Sequence, residues 1–492
     1  METVFVLFIA IATFLTRIIN LLSVPIFTDE AIYIRWAQIG LGDPAQRFIS
    51  LTDGKQPLFT WLMYPALKIF NDPLFAGRFI SVLAGVGSCL GLYFAARALF
   101  GRKTAVFTSL FYLFSPFALI YDRLALMDSL LAMFTVWSLY LEIILIRKIR
   151  LDIAMLLGVS IGLGLLTKSS ALFCLLTLPF SLILFDCKPK HKIKRLLKWA
   201  GLAIVSLIIA EVMYNLLRLS PWFYIISQKN YSFIMTFSEF MKSRFAIFWP
   251  NMDGLWQFVV SYLTIPVLIV LIIGLIFGII RRDRKILYVF IWFIVPFLAL
   301  AAFGKVLFPR FILFMVLPLF IITGNVLANF TYFAWKKMKI FLLVLPVIFA
   351  YPAYVSYLAI FSPVDLPIHK IDRDQLFDEW PSGYGVREAI EYLAQKAKTE
   401  KIVIGTEGTF GLNPAVYEIY FGTDKNVEIK GYWPMYEVPK DLLEDAKTHP
   451  TYLIFKERQD ALENWPITLI KKIRRGKGKT YLLFYQVNPV KL

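Results

Sequence analysis

The stretch TVFVLFIAIATFLTRIINLLSVPIF, residues 3–27, is closed at once by Thr28-Asp29-Glu30, and its reading decides the rest of the chain. A helical crossing of hydrocarbon needs roughly 20 apolar residues, and this run meets that length with Arg17 as its only charge. It is too long for the apolar region of a signal peptide, lacks a small-residue cleavage pattern, and is expected to stay as the first membrane helix. A carboxylate pair at the mouth of such a helix suggests chemistry at a lipid surface.

Composition agrees with a membrane protein. With 58% hydrophobic residues, 17% charged residues and 45 Phe, the 492-residue chain has more apolar surface than a soluble core can bury. Further runs lie near 76–97, 104–120, 128–146, 153–167, 169–186, 198–219, 255–280, 286–303, 311–331 and 340–361. The expectation is a polytopic α-helical membrane protein of about eleven spans.

Lysine and arginine orient it, because short cytoplasmic loops hold the positive residues. Alternate loops carry Arg97, Arg102 and Lys103; Arg147, Lys148 and Arg150; KPKHKIKRLLK at 188–198; RRDRK at 281–285; and Lys336, Lys337 and Lys339. The predicted topology has a cytoplasmic N-terminus and residues 362–492 outside the cell membrane. The net charge of +18 then reports topology and not nucleic acid, since residues 361–492 hold 19 basic and 19 acidic residues. Cys89, Cys174 and Cys187 offer neither a disulfide framework nor a metal-spaced set.

Two domains are expected, a membrane domain at 1–361 and an extracytoplasmic α/β domain at 362–492. In the second, helical patterns at 386–398, 413–420 and 440–447 alternate with strands at 401–405, 427–431, 451–456 and 480–486, which predicts a largely parallel sheet. The loop Gly405-Thr-Glu-Gly408-Thr-Phe-Gly411 has GxxGxxG spacing, open to a tight turn as well as to a nucleotide site.

The candidate chemistry concentrates in the first outer loop, 25–75. Thr28 reads as an N-cap, and the segment holding Asp29, Glu30, Tyr33, Arg35 and Trp36 reads as a short helix stopped by Gly40, Gly42 and Pro44. Acidic residues in a first turn are also favoured by the helix dipole alone. Asp53-Gly54-Lys55-Gln56-Pro57 is a turn presenting a cation before a Pro-started helix. Asp128 at the start of span four, Arg123 in a short outer loop, Lys168, and Lys305 to Arg310 come to the same membrane face. Charges of both signs at that depth imply a polar cavity, where cations can hold a phosphate and a carboxylate can take a proton. Arg17 and Glu211 are the other intramembrane charges.

Read together, the Asp29-Glu30 pair, Lys55-Gln-Pro-Leu-Phe-Thr-Trp61, Phe75-Ala-Gly-Arg78, Leu126-Met-Asp128, Gly164-Leu-Leu-Thr167-Lys168 and Pro309-Arg310-Phe311 to Pro318 resemble the GT-C membrane glycosyltransferases. Within these, the protein O-mannosyltransferase and lipid A aminoarabinose transferase group is the most similar. The resemblance runs over about residues 1–330. It implies an inverting transferase that takes a sugar from a polyprenyl phosphate, undecaprenyl or dolichyl, and passes it to a protein, glycolipid or glycan at the outer face. It implies Asp29 as general base, Glu30 as its neighbour in orienting the acceptor, Asp128 as a second acidic position and Lys55 as the phosphate-binding cation. Arg78, Arg123, Lys168 and Arg310 are implied as phosphate or structural contacts, with Arg17, Tyr33 and Gln56 as further candidates. Gln56 departs from the Lys-Pro-Pro of many relatives. The outer loops lack a DxD pair, so no obligatory metal is expected, and a divalent cation bridging Asp29 and the phosphate is left open. The rival class is a transporter or lipid flippase, which would also place charges in a cavity. A scaffold whose α/β tail binds a partner is the third.

Overall fold

The computed structural model describes residues 2–186, 191–243, 246–337 and 343–489; Cys187, Lys188, Lys190 and Lys339 lie outside them. The chain divides into two compact units, one of Met1–Leu21, Ala45–Leu62 and Arg78–Ser362, the other of Leu22–Pro44, Met63–Gly77 and Pro363–Leu492. Two pieces of the first loop thus group with the C-terminal residues.

The first unit is helical. Helix α1 (Glu2–Ile18) ends well before the end of the predicted run, at a turn through Asn20, whose φ is +50°. The cause lies far away in sequence. Arg123, 1% exposed, donates Nη1 to the carbonyls of Arg17 and Ile19 at 2.9 and 2.5 Å and Nη2 to that of Asn20 at 2.6 Å, while Arg78 Nη1 reaches Leu21 O at 2.8 Å. These carbonyls would otherwise be orphaned at the helix end.

Helix α2 (Thr28–Gly42), α3 (Leu58–Ile69) and α4 (Pro73–Phe100) follow. The predicted run 104–120 is broken into α5 (Arg102–Leu113) and α6 (Pro116–Tyr121). Ser115 caps α6 by accepting from Ala118 N at 3.3 Å, with Pro116 at its first position. Arg17, fully buried, satisfies the end of α5 through Leu113 O and Tyr112 O, both at 3.0 Å, and pairs with Asp122 at 3.3 Å. Helix α7 (Met127–Lys148) and α8 (Leu151–Thr167) match their predicted runs. Ser206, on the helix Lys192–Asn215, donates to Ala154 O of α8 at 2.8 Å.

Among the described residues five helices are long and apolar enough to cross a membrane: Pro73–Phe100, Met127–Lys148, Lys192–Leu219, Arg284–Phe303 and Val344–Phe361. The count rises to seven if two bent pairs are each one span, Phe248–Leu263 with Ile265–Ile280 (112°) and Pro309–Val316 with Leu319–Phe333 (49°). The figure of eleven is not reached by this measure. Hydropathy counts apolar residues without seeing where a helix turns: α1 and α8 have 17 residues each, and the run 169–186 is largely 3-10 helix.

The second unit holds five strands, β1 (Ile402–Glu407), β2 (Val427–Tyr432), β3 (Thr451–Phe455), β4 (Ile467–Arg474) and β5 (Tyr481–Val487), in the order β2-β1-β3-β5-β4. β1 is parallel to β2 and β3, while β5 runs antiparallel to β3 and β4. β4 escaped the sequence reading. It is an exposed edge rich in Lys471, Lys472 and Arg474, with a register shift between Leu469 and Lys471 that spoils its alternation. Both faces are covered, as the alternation of side chains along β3 shows. Tyr452 meets Tyr392 of the helix Val386–Ala397 at a ring distance of 5.9 Å, and Leu453 belongs to a core with Val403, Leu442, Phe455 and Trp465.

Helix α2 is part of this unit. A short pairing joins Thr28 N to Pro381 O (3.0 Å) and Gly383 N to Ile26 O (2.7 Å), Arg35 pairs with Glu418 at 2.8 Å, and Gln38 donates to Ile419 O at 2.8 Å. Glu418 and Ile419 lie on the helix Leu412–Phe421 between β1 and β2.

Candidate functional site

In the second unit, the acidic pair sits in the first turn of α2. The cap lies one residue earlier than predicted: Phe27 is the capping position, and Thr28 instead opens the helix and donates Oγ1 to Pro381 O at 2.9 Å. Glu30 is fully buried and accepts from Phe27 N at 2.8 Å, so one of its oxygens closes its own helix. Asp29 is half-buried in the same turn. Tyr33 is buried, its ring 5.7 Å from that of Trp36. The two carboxylates therefore differ in setting, which adjacency in sequence does not reveal.

In the first unit, cations from distant segments converge on two phenylalanines. Lys55 Nζ stands 5.2 Å from the ring centre of Phe233, Lys168 Nζ 4.5 Å from that of Phe311, and the Arg310 guanidinium 4.5 Å from Phe308 and 5.8 Å from Phe311. The rings of Phe233 and Phe311 are 6.1 Å apart, edge to face. Ring faces attract a cation without cancelling its charge. Lys168 also pairs with Asp128 Oδ1 at 2.7 Å, Asp128 being 6% exposed in its side chain in the first turn of α7.

The loops behind these cations are fixed to one another. Gly54, with φ +66°, ends a 3-10 turn, and a Cβ there would stand 2.9 Å from Ile225 O. That residue type lets Lys55 follow a tight turn against the helix Ile225–Phe233. Lys229 of that helix pairs with Asp53 at 2.5 Å. Gln56 Nε2 donates to Ser169 Oγ at 2.7 Å, and Asn230 Nδ2 reaches the same oxygen at 3.2 Å. Gln56 thus ties the turn of Lys55 to the residue that follows Lys168. The 304–310 loop is held by Lys305, which pairs with Glu239 at 3.0 Å; the backbone N–H of Thr236, with Lys305 beside it, pulls the Glu239 carboxyl down to about 2.

Lys55, Gln56, Asp128, Lys168 and Arg310 are therefore brought together. Arg17, Arg78 and Arg123 donate to backbone carbonyls at the ends of α1 and α5, and Arg17 also pairs with Asp122. Glu211 lies on the helix Lys192–Asn215. Sequence reasoning missed Phe233, Ser169 and Asn230, and quoted Phe311 only as part of a motif, since an apolar or small polar residue carries no signal of a site until the chain has folded. Among the described residues no group of three or more His, Cys, Asp or Glu is placed to hold a metal ion.

Residues 54–214 match the sequence profile of the family described as dolichyl-phosphate-mannose-protein mannosyltransferase. No curated protein matches the chain in sequence. Among solved structures, ArnT from Cupriavidus metallidurans in the apo state superposes with a TM-score of 0.59 at 15% identity, covering 99% of both chains. The same protein bound to undecaprenyl phosphate gives 0.59 at 15%, covering 98% of this chain and 97% of that one. The archaeal oligosaccharyltransferase AglB from Archaeoglobus fulgidus, in complex with an inhibitory peptide and a dolichol-phosphate, gives 0.55 at 12%, covering 92% of this chain and 69% of that one. The chain thus shares the fold of ArnT and AglB, and the segment carrying Lys55, Asp128 and Lys168 matches the profile of the dolichyl-phosphate-mannose-protein mannosyltransferase family.

Proposed function

We propose that this protein is an inverting glycosyltransferase of the membrane that moves a sugar from a polyprenyl-phosphate donor to an acceptor protein, glycolipid or glycan. The carrying observation is the convergence of Lys55, Lys168 and Arg310 on the Phe233–Phe311 pair, a cationic place of the kind a lipid phosphate needs. The profile match over 54–214 and a like-folded protein that binds undecaprenyl phosphate support it.

In the reaction, an acceptor O–H or N–H loses its proton to Asp29 as its heteroatom bonds to the anomeric carbon. The bond from that carbon to the phosphate oxygen breaks, and its electron pair leaves with the polyprenyl phosphate. The leaving group gains charge at this moment, and preplaced cations stabilise the gain without reorganising. Lys168 is steered by Asp128, and Lys55 by the turn that Gln56 ties down. The loops bearing these groups are read as extracytoplasmic, with the N-terminus inside, from the distribution of Lys and Arg.

The test is sugar release and transfer from a panel of polyprenyl-phosphate sugars by the purified chain, wild type beside Asp29→Asn and Lys55→Ala. Asp29→Asn should lose about 10²- to 10⁴-fold in transfer, the usual worth of a general base, with donor binding retained. Lys55→Ala should lose donor binding. Unchanged turnover in Asp29→Asn would remove Asp29 as base, and no turnover or binding with any lipid would overturn the transferase reading.

A further inference from the structure

The carboxyl-terminal edge of the parallel strands in the second unit carries a built site that the reaction above does not use. The strand order β2-β1-β3 makes β1 and β3 the place where the chain's winding reverses, and open α/β sheets gather ligands outside the carboxyl ends of strands there. Three loops meet at that edge. Gly408 and Gly411 follow β1, Trp433 follows β2, and Lys456 follows β3.

Lys456 is held in place. Glu407, at the end of β1 and 6% exposed, accepts from the backbone N–H groups of Lys456, Glu457 and Arg458 at 2.8, 2.8 and 3.1 Å, and Arg475 donates to Lys456 O at 2.7 Å. The Lys456 ammonium lies 4.7 Å from the ring centre of Trp380 and 5.9 Å from that of Trp433. Among the described residues its ion pair is a long one, 3.7 Å to Glu457, although the residue is 7% exposed. A mostly buried cation so weakly neutralised has capacity left for an anion.

Around it stand aromatic rings turned outward: Trp433 is 57% exposed, Phe410 56% and Trp380 39%. Gly408 and Gly411, with φ of +111° and +112°, let the loop run beside the ammonium, and a Cβ on Gly411 would lie 3.9 Å from Lys456 Nζ and 3.8 Å from Thr28 Cγ2. Thr28 precedes Asp29. The edge therefore adjoins the first turn of α2.

We propose that this edge is a glycan subsite, with Trp433 and Trp380 stacking against a pyranose ring, Lys456 taking an anionic substituent on it, and the bound sugar being the acceptor presented to Asp29. Exposed indole faces suit the apolar C–H face of a sugar, and a single cation between them suits one phosphate or carboxylate carried on that sugar. The assignment of the bound sugar as acceptor rests on Asp29 as base; the binding site itself does not.

The probes are glucose 6-phosphate, methyl glucoside and inorganic phosphate, followed by saturation-transfer NMR on the full chain in nanodiscs. Wild type should contact the ring protons of both sugars and prefer the phosphorylated one. Trp433→Ala, which truncates a side chain 57% exposed, should weaken both roughly tenfold, the size of one good aromatic contact. Lys456→Gln should erase the preference and leave the ring contact. Asp29→Asn should leave all binding intact while transfer is lost, which separates a failed subsite from a failed base. Ring contact unchanged in Trp433→Ala overturns the subsite. So does inorganic phosphate displacing nothing in Lys456→Gln and wild type alike, or displacement of the sugars by an unglycosylated peptide, which would make the edge a protein-binding surface.

Discussion

Asp128 and Lys168 form an ion pair that belongs both to the fold and to the proposed donor site. The pair is mostly buried, at 6% and 23% side-chain exposure, so removing only the cation strands a carboxylate in a dry place. Lys168→Met should cost about 3 kcal/mol of stability for that reason, and Asp128→Asn/Lys168→Met should recover most of it. Transfer should remain lost in both, because the phosphate has lost a cation in each. Thermal melts beside a transfer assay check this; recovery of activity in the double variant would place Lys168 outside the donor site. Neighbouring residues tell a similar story of legibility. Asp29, Lys55 and Lys168 stand out in the sequence because charges beside membrane-length apolar runs are costly and rarely idle. The aromatic floor beneath the cations does not, since Phe233 and Phe311 are two among 45 phenylalanines.

At the scale of elements, the break after α1 depends on arginines from α4 and the loop after α6. Arg123 reaches four backbone carbonyls, of Thr16, Arg17, Ile19 and Asn20, with a planar fork that an ammonium cannot reproduce. Arg123→Lys should destabilise the protein by about 3 kcal/mol, the cost of leaving buried acceptors unmet, read as a lower melting temperature with donor affinity falling only as the fold does. A loop staple titrates instead. Glu239, its carboxyl lowered to about 2 first by the Thr236 N–H and then by Lys305, contributes stability that is full above its unfolded value near 4.5 and is lost progressively as pH falls from there through about 2. The segment Phe237–Ser243 should therefore resist limited proteolysis equally at pH 7 and pH 5.5 in wild type, and be cut faster at pH 7 in Glu239→Gln.

For the whole molecule, the division into units carries a consequence that a linear domain boundary hides. Helix α2 buries Tyr33, Ile34 and Trp36, and its contacts with Pro381, Glu418 and Ile419 lie within the second unit. Residues 363–492 produced alone should therefore expose that face, bind a hydrophobic dye and melt well below the same segment joined to residues 22–44 by a short linker. Equal melting of the two would show that α2 adds nothing to the unit.

The sequence by itself determined the membrane class, the positions of most apolar runs, the alternation of helix and strand in the C-terminal residues and the small set of charges worth testing. Those depend on composition and on periods of two to four residues, which are local. Only the tertiary structure decided where the first run stops, that β4 exists, that Glu30 caps its own helix, and which cations share the Phe233–Phe311 floor. Each of these turns on hydrogen bonds or ring contacts between residues far apart in the chain, as with Arg123 and Asn20 or Gln56 and Ser169. No local pattern encodes such a partner, because the energy that selects it appears only when burial removes the competing water.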